Sequence, residues 1–141
     1  ITPEIIKTYE KDAGDIKSGE VVVFRTGHVD RTFRKKPDDG GCMAEPIAGK
    51  AEGWPAASPE TVQLLASLGV SCIGIDAPNL GGVDEKNELF VKWALGSAGM
   101  VAIEFLHNLQ SVPDEGDPYF MFAPIKVNNG HGGHGRAIVL Y

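Results

Sequence analysis

The stretch from Ser58 to Asp76 constrains the fold more than any other part of the chain. Ser58, Pro59 and Glu60 make a helix start: a side-chain acceptor for a free N–H, a residue preset to helical φ, and a negative charge at the positive end of the helix dipole. Val62, Leu65 and Leu68 then recur at helical spacing, and Gly69 closes the helix. Val70-Ser71-Cys72-Ile73-Gly74-Ile75-Asp76 follows with no linker, and its apolar, β-branched content predicts a buried strand. A helix feeding directly into such a strand is half of a βαβ unit, which sets the fold class as α/β. Asp76 then falls at the C-terminal end of a strand, where α/β folds place working groups.

The remaining elements read more weakly. Thr2 and Pro3 start a short helix through about Glu10, and Ser18-Gly19 turns the chain into the strand Val21 to Phe24. From Asp30 to Trp54 the chain is charged, rich in Gly and Pro, and without clear periodicity, which predicts a lid or interface loop. Asp84 caps a helix through about Ala98, Gly99 ends it, and Met100 to Leu106 reads as a strand. After the turn-rich, acidic loop Pro113 to Pro118, Tyr119 to Val127 and Arg136 to Tyr141 read as two final strands joined by a Gly-rich loop. One mixed α/β domain over residues 1–141 is the expectation for a chain of 141 residues, 43% of them hydrophobic.

Composition narrows the partners. With 13 Lys+Arg against 19 Asp+Glu and a net charge of −6, the chain has no basic run for nucleic-acid phosphates or anionic lipid. Its longest apolar stretch, Met100 to Leu106, is far below membrane-spanning length. Small molecules and protein partners are expected, and a cytoplasmic location. The 2 cysteines, Cys42 and Cys72, make no disulfide framework and no zinc-ribbon spacing, which fits a reducing compartment. The chain opens at Ile1 rather than Met, which leads to the expectation of a piece of a longer product.

Glu104 is the most informative single residue. A carboxylate inside an apolar strand needs a metal, a cation, a proton or good donors if it is buried. The alternatives are an edge strand with Glu104 in solvent, or a pair with Arg25 or Arg136. His131 and His134, spaced H-x-x-H in a Gly loop, could meet one metal ion, but metal sites generally need a third ligand on firmer support, and a tight turn is the competing reading. His28-Val29-Asp30 offers two further ligand types near a strand end, a pattern that also arises by chance. A serine nucleophile elbow, a phosphate-cradling glycine loop and an H-E-x-x-H helix are absent from the sequence. Cys72 reads as core, and Cys42 has no identifiable activating partner.

Taken in order, Ile16 to Gly27, Ser58 to Gly69, and Gly69 to Pro78 with its Gly-Ile-Asp-Ala-Pro strand end resemble the cyclase family of metal-dependent hydrolases, which includes kynurenine formamidases and isatin hydrolases. The resemblance continues through Leu95-Gly96, Ile103-Glu104-Phe105-Leu106-His107-Asn108-Leu109, Ala123 to Lys126 and Arg136 to Leu140. It implies a swivelling β/β/α fold, present here as its C-terminal portion. It also implies a zinc or manganese site and hydrolysis of an amide, lactam or ester by metal-activated water. The family's main metal motif, His-x-Gly-Thr-His-x-Asp, belongs to the N-terminal half of that fold and has no match in this sequence. Of two further ligands that formamidase-like members draw from this portion, Glu104 matches one, while Val91 stands where the other, a His, would be. Asp76 is expected beside Glu104 as a supporting group.

Two functions follow as expectations. The first is a hydrolase of C–N bonds in cyclic or acylated amides, acting on a small-molecule amide or lactam as a homo-oligomer. In it, this chain supplies Glu104 and scaffold, and an N-terminal half or partner chain supplies the remaining ligands. The second is a non-catalytic binding or assembly subunit of the same fold, motivated by the unmatched motif and by Val91.

Overall fold

Pro3 at the first turn starts α1 (Pro3–Ala13), which continues past Glu10 because nothing breaks it before Gly14, whose φ of 95° ends the helix. The computed structural model describes residues 1–34, 41–114 and 116–141. Within them the chain divides into two compact units, Ile1–His107 and Asn108–Tyr141.

In the first unit β1 (Val21–Phe24), β2 (Cys72–Ile75) and β3 (Val101–Ile103) form a 3-stranded parallel sheet in the order β1-β2-β3. Val22 lies opposite Ile73, and Ile73 opposite Ala102. Between β1 and β2 come α2 (His28–Thr32), α3 (Ala44–Ile47) and α4 (Pro59–Ser67), and α5 (Glu85–Ala98) links β2 to β3. The Asp30-to-Trp54 segment, expected as a loop, thus holds the end of α2 and all of α3, while residues 35–40 lie outside the described residues.

Ser58 and Asp84 cap their helices as the sequence predicts, whereas Thr2 precedes α1 without a side-chain cap hydrogen bond. Ser58 Oγ accepts from Thr61 N at 3.3 Å, and Asp84 Oδ1 accepts from Asn87 N at 2.7 Å. Gly69 follows α4 with φ 86°, and a side chain there would strike Ser18, whose Oγ would lie 2.4 Å from a Cβ. That close approach lets Gly19 N–H reach Gly69 O at 3.1 Å, joining the approach to β1 with the approach to β2.

The sheet buries one face better than the other. Val22, Phe24, Ile73, Ile75 and Ala102 alternate onto the face that packs with Ile6, Val62, Leu65, Val91 and Leu95 of the helices. On the opposite face Leu106 packs over Gly74 and Val23, while Val101 is left exposed.

The second unit is a hairpin of β4 (Tyr119–Pro124) and β5 (Gly135–Leu140), antiparallel, with Met121 opposite Ile138. β4 stops three residues short of the expected Val127, whereas β5 is as long as expected and begins and ends one residue earlier. Residue 115, in the expected acidic loop, lies outside the described residues.

One expectation needs correction. Met100 to Leu106 is not a continuous strand: β3 ends at Ile103, and Phe105 takes a left-handed φ of 60°. Glu104 therefore sits just past the strand rather than in its middle, because the backbone turns there to send Phe105 N–H to Ala77 O and Leu106 N–H to Ile75 O.

Candidate active site at the carboxyl edge of the parallel sheet

Because all three strands run the same way, their carboxyl ends share one edge, and the polar groups of the first unit gather there. Asp76, just past β2, is fully buried. Its Oδ1 accepts from Thr26 N at 2.6 Å and Thr26 Oγ1 at 2.7 Å, and its Oδ2 accepts from Gly27 N at 2.6 Å. Three donors on one buried carboxylate compensate its desolvation and leave it little capacity for another ligand. Gly27 makes this possible: its φ of 71° aims the N–H back at Asp76 and starts α2, whose Val29 N–H reaches Asp76 O at 3.1 Å.

α2 places His28 inward and Asp30 along the edge. His28 is buried with its ring 5.8 Å from Trp54, and its Nε2 donates to Cys42 O at 2.9 Å. A carbonyl can only accept, so Nε2 carries the proton and this nitrogen is committed to structure. His28 and Asp30, weighed from sequence as a ligand pair, therefore do different things. Asp30 Oδ1 lies 2.5 Å from Nδ1 of His107, at the opposite end of the sheet edge.

Glu104 Oε1 accepts the Leu80 N–H at 2.9 Å, which ties the end of β3 to the loop after β2. The residue as a whole is exposed, yet protein around the carboxylate raises its pKa above the usual range by desolvation. The Leu80 N–H and Lys92 work against that rise, and Glu88 adds to it. Lys92 is itself paired with Glu88 at 2.6 Å. Beyond Glu104, Phe105 meets Phe33 edge to face at 5.7 Å.

The structure brings Glu104 and Asp76 to neighbouring strand ends, but their hydrogen bonds go to separate loops: Asp76 clamps the β1–α2 turn, and Glu104 holds Leu80. His131 and His134 both precede β5 on the exposed turn of the hairpin unit. Among the described residues, no three His, Cys, Asp or Glu groups converge as a metal site. Val91, at the position where the family resemblance implies a ligand His, is buried on α5 in the apolar core.

The His107–Asp30 contact escaped the sequence reading, although the type of each residue and its place near a strand end were visible. Their meeting depends on β1 and β3 flanking β2, which local sequence does not encode.

A family model described as a putative cyclase matches residues 1–81, more than half of the chain. The chain belongs to the cyclase family. An isatin hydrolase from Roseibium aggregatum is 29% identical over 149 aligned residues, covering 99% of this chain and 52% of its own length. The crystal structure of an isatin hydrolase bound to the product analogue thioisatinate superposes on the whole chain with a TM-score of 0.77 at 24% identity, over 52% of its length. A structure described as a potential metal-dependent hydrolase with cyclase activity matches 92% of the chain with a TM-score of 0.65 at 22% identity. The mixed α/β architecture is that of these cyclase-family folds, and the chain spans about half the length of the relatives it matches.

Proposed function

We propose that residues 1–141 are the C-terminal portion of a single cyclase-like hydrolase domain that cleaves C–N bonds in cyclic or acylated amides. The observation that carries this reading is Glu104: a carboxylate at the carboxyl edge of a parallel sheet whose Oε1 accepts from Leu80 N–H. Membership of the cyclase family and relatives named as isatin hydrolase and metal-dependent hydrolase support the reaction class.

The described residues do not by themselves make a complete metal site, since Glu104 has no second and third ligand beside it. In this reading Glu104 contributes one oxygen donor to a divalent ion, zinc or manganese, and an N-terminal half or partner chain contributes the others. Asp76 supports the edge by fixing the β1–α2 turn, and His131 and His134 are turn residues rather than ligands. The free thiols Cys42 and Cys72 favour a cytoplasmic location, and the exposed apolar surface favours an oligomer.

A second reading, a binding or assembly subunit without chemistry, draws on Val91, a core valine with no ligating atom where the family resemblance implies a His. Metal analysis together with hydrolysis of N-formylaniline and isatin separates the two. Bound zinc or manganese with turnover, once the chain is supplied with the rest of the fold, supports the hydrolase. Neither metal nor turnover in that assembly supports the subunit.

A further inference from the structure

Resting on the hydrolase reading, we propose that His107 and Asp30 form a proton-handling pair at the sheet edge, with His107 Nε2 as the base and Asp30 as its positioning residue. The two side chains come from the segments that follow the outer strands of the sheet, α2 after β1 and the turn after β3, and meet at 2.5 Å between Nδ1 and Oδ1. Their exposures are opposite in kind: the Asp30 side chain is 18% exposed and that of His107 70%. A carboxylate only accepts, so Nδ1 carries the shared proton, and a neutral His107 must present its lone pair at Nε2, on the open side of the ring.

Neither partner is held loosely. Asp30 sits on α2, which Asp76 fixes through Thr26, Gly27 and the Val29 N–H. His107 follows a turn in which Phe105 is left-handed at φ 60° and Leu106 is buried. A left-handed aromatic residue is costly and persists where its surroundings over-determine it. Here the bonds from Phe105 N–H to Ala77 O and Leu106 N–H to Ile75 O supply that constraint, and the result directs His107 to α2. A pair between two long surface side chains would show none of this support.

In hydrolysis, Nε2 takes a proton from the attacking water as its oxygen bonds to the amide carbon and the carbonyl π pair moves onto oxygen. The tetrahedral species then collapses: the C–N bond breaks, and Nε2 returns the proton to the leaving nitrogen. The imidazole ends unchanged, and the Nδ1 proton stays with Asp30 throughout.

Two measurements on the 141-residue chain test the pair without needing turnover. Nitrogen-15 NMR of the histidines reads the tautomer: neutral His107 is expected in the Nδ1–H form in the wild type, to lose it in Asp30→Asn, and to regain it in Asp30→Glu. Carbethoxylation by diethyl pyrocarbonate, read by mass spectrometry at the alkaline plateau, reports Nε2 reactivity. His107 is expected to react several-fold faster than His131 and His134, and to slow to their rate in Asp30→Asn. A wild-type His107 in the Nε2–H form overturns the pair. The right tautomer with reactivity no greater than that of His131 overturns the base and leaves a structural pin. Either failure leaves metal binding and amide turnover untouched, whereas failure of those assays with both signatures present rejects the hydrolase reading alone.

Discussion

Asp76 Oδ1 receives both the N–H and the hydroxyl of Thr26, at 2.6 and 2.7 Å, so one oxygen at the end of β2 fixes the first turn after β1. With Oδ2 on Gly27 N–H, the buried carboxylate sets the starting direction of α2 and hence the place of Asp30.

Asp76→Asn tests this clamp. An amide retains one acceptor but turns an NH2 group toward a backbone donor, leaving buried groups unsatisfied. The expected loss is roughly 3 kcal/mol, since each stranded buried group costs about 1–3 kcal/mol. Urea unfolding measures it, and a change within about 0.5 kcal/mol, typical of an ordinary surface substitution, would show that the clamp contributes little.

The helix caps give a smaller and more local prediction. Ser58→Ala removes the acceptor for Thr61 N–H, and Asp84→Ala the acceptor for Asn87 N–H. Each should cost about 1 kcal/mol, and the two should add, because they cap different helices. Denaturant melts of the single and double variants check both statements.

Glu104 makes stability depend on pH in a stated direction. Its folded pKa is raised, chiefly by desolvation, so the folded state holds the proton more tightly than the unfolded state. The stabilisation is fully present below the ordinary glutamate pKa of 4.5 and is lost as pH rises through the folded pKa. Glu104→Gln keeps an acceptor for Leu80 N–H and has no charge to desolvate. Unfolding curves of the two proteins should therefore differ little at acid pH, with the variant gaining relative to wild type as pH rises above that window. A variant that loses stability relative to wild type over that rise would mean that the ionised carboxylate is stabilised by a partner, as in a structural ion pair.

Exposed apolar groups predict association. In the first unit Trp93 is 59% exposed and Val101 56%, and in the hairpin Tyr119 is 66% exposed and Leu140 55%. A 2-stranded hairpin is marginal in water without a covered face. Light scattering should find the chain self-associated, and a hydrophobic dye should bind it. A monomeric, dye-negative species that melts cooperatively would contradict this.

How far the sequence could be read depended on the range of the interactions involved. The α4–β2 unit was legible because Ser58, Pro59 and Gly69 act within a few residues of where they stand. Asp84 and Gly99 bounded α5 for the same reason. Glu104 lies one step past the strand that the sequence predicts around it, because Phe105 carries no local signal for a left-handed backbone; the turn is imposed by bonds to Ile75 at the end of β2 and to Ala77 just past it. The Asp76 clamp was half legible: its strand-end position was clear, but its donors on the β1–α2 turn were not. His28, a ligand candidate by type and place, is a core histidine, because the Cys42 carbonyl that occupies it comes from a segment with no periodicity.

The central claim is that this cyclase-family chain contributes Glu104 to a divalent-metal hydrolase. Metal content is its most direct test, measured by mass spectrometry on wild type and Glu104→Gln after each is supplied with the rest of the fold and dialysed against zinc or manganese. The account predicts that affinity falls by at least about tenfold in the variant, with turnover of the amide probe falling in step and the fold retained. Unchanged metal content with full turnover in Glu104→Gln would contradict it.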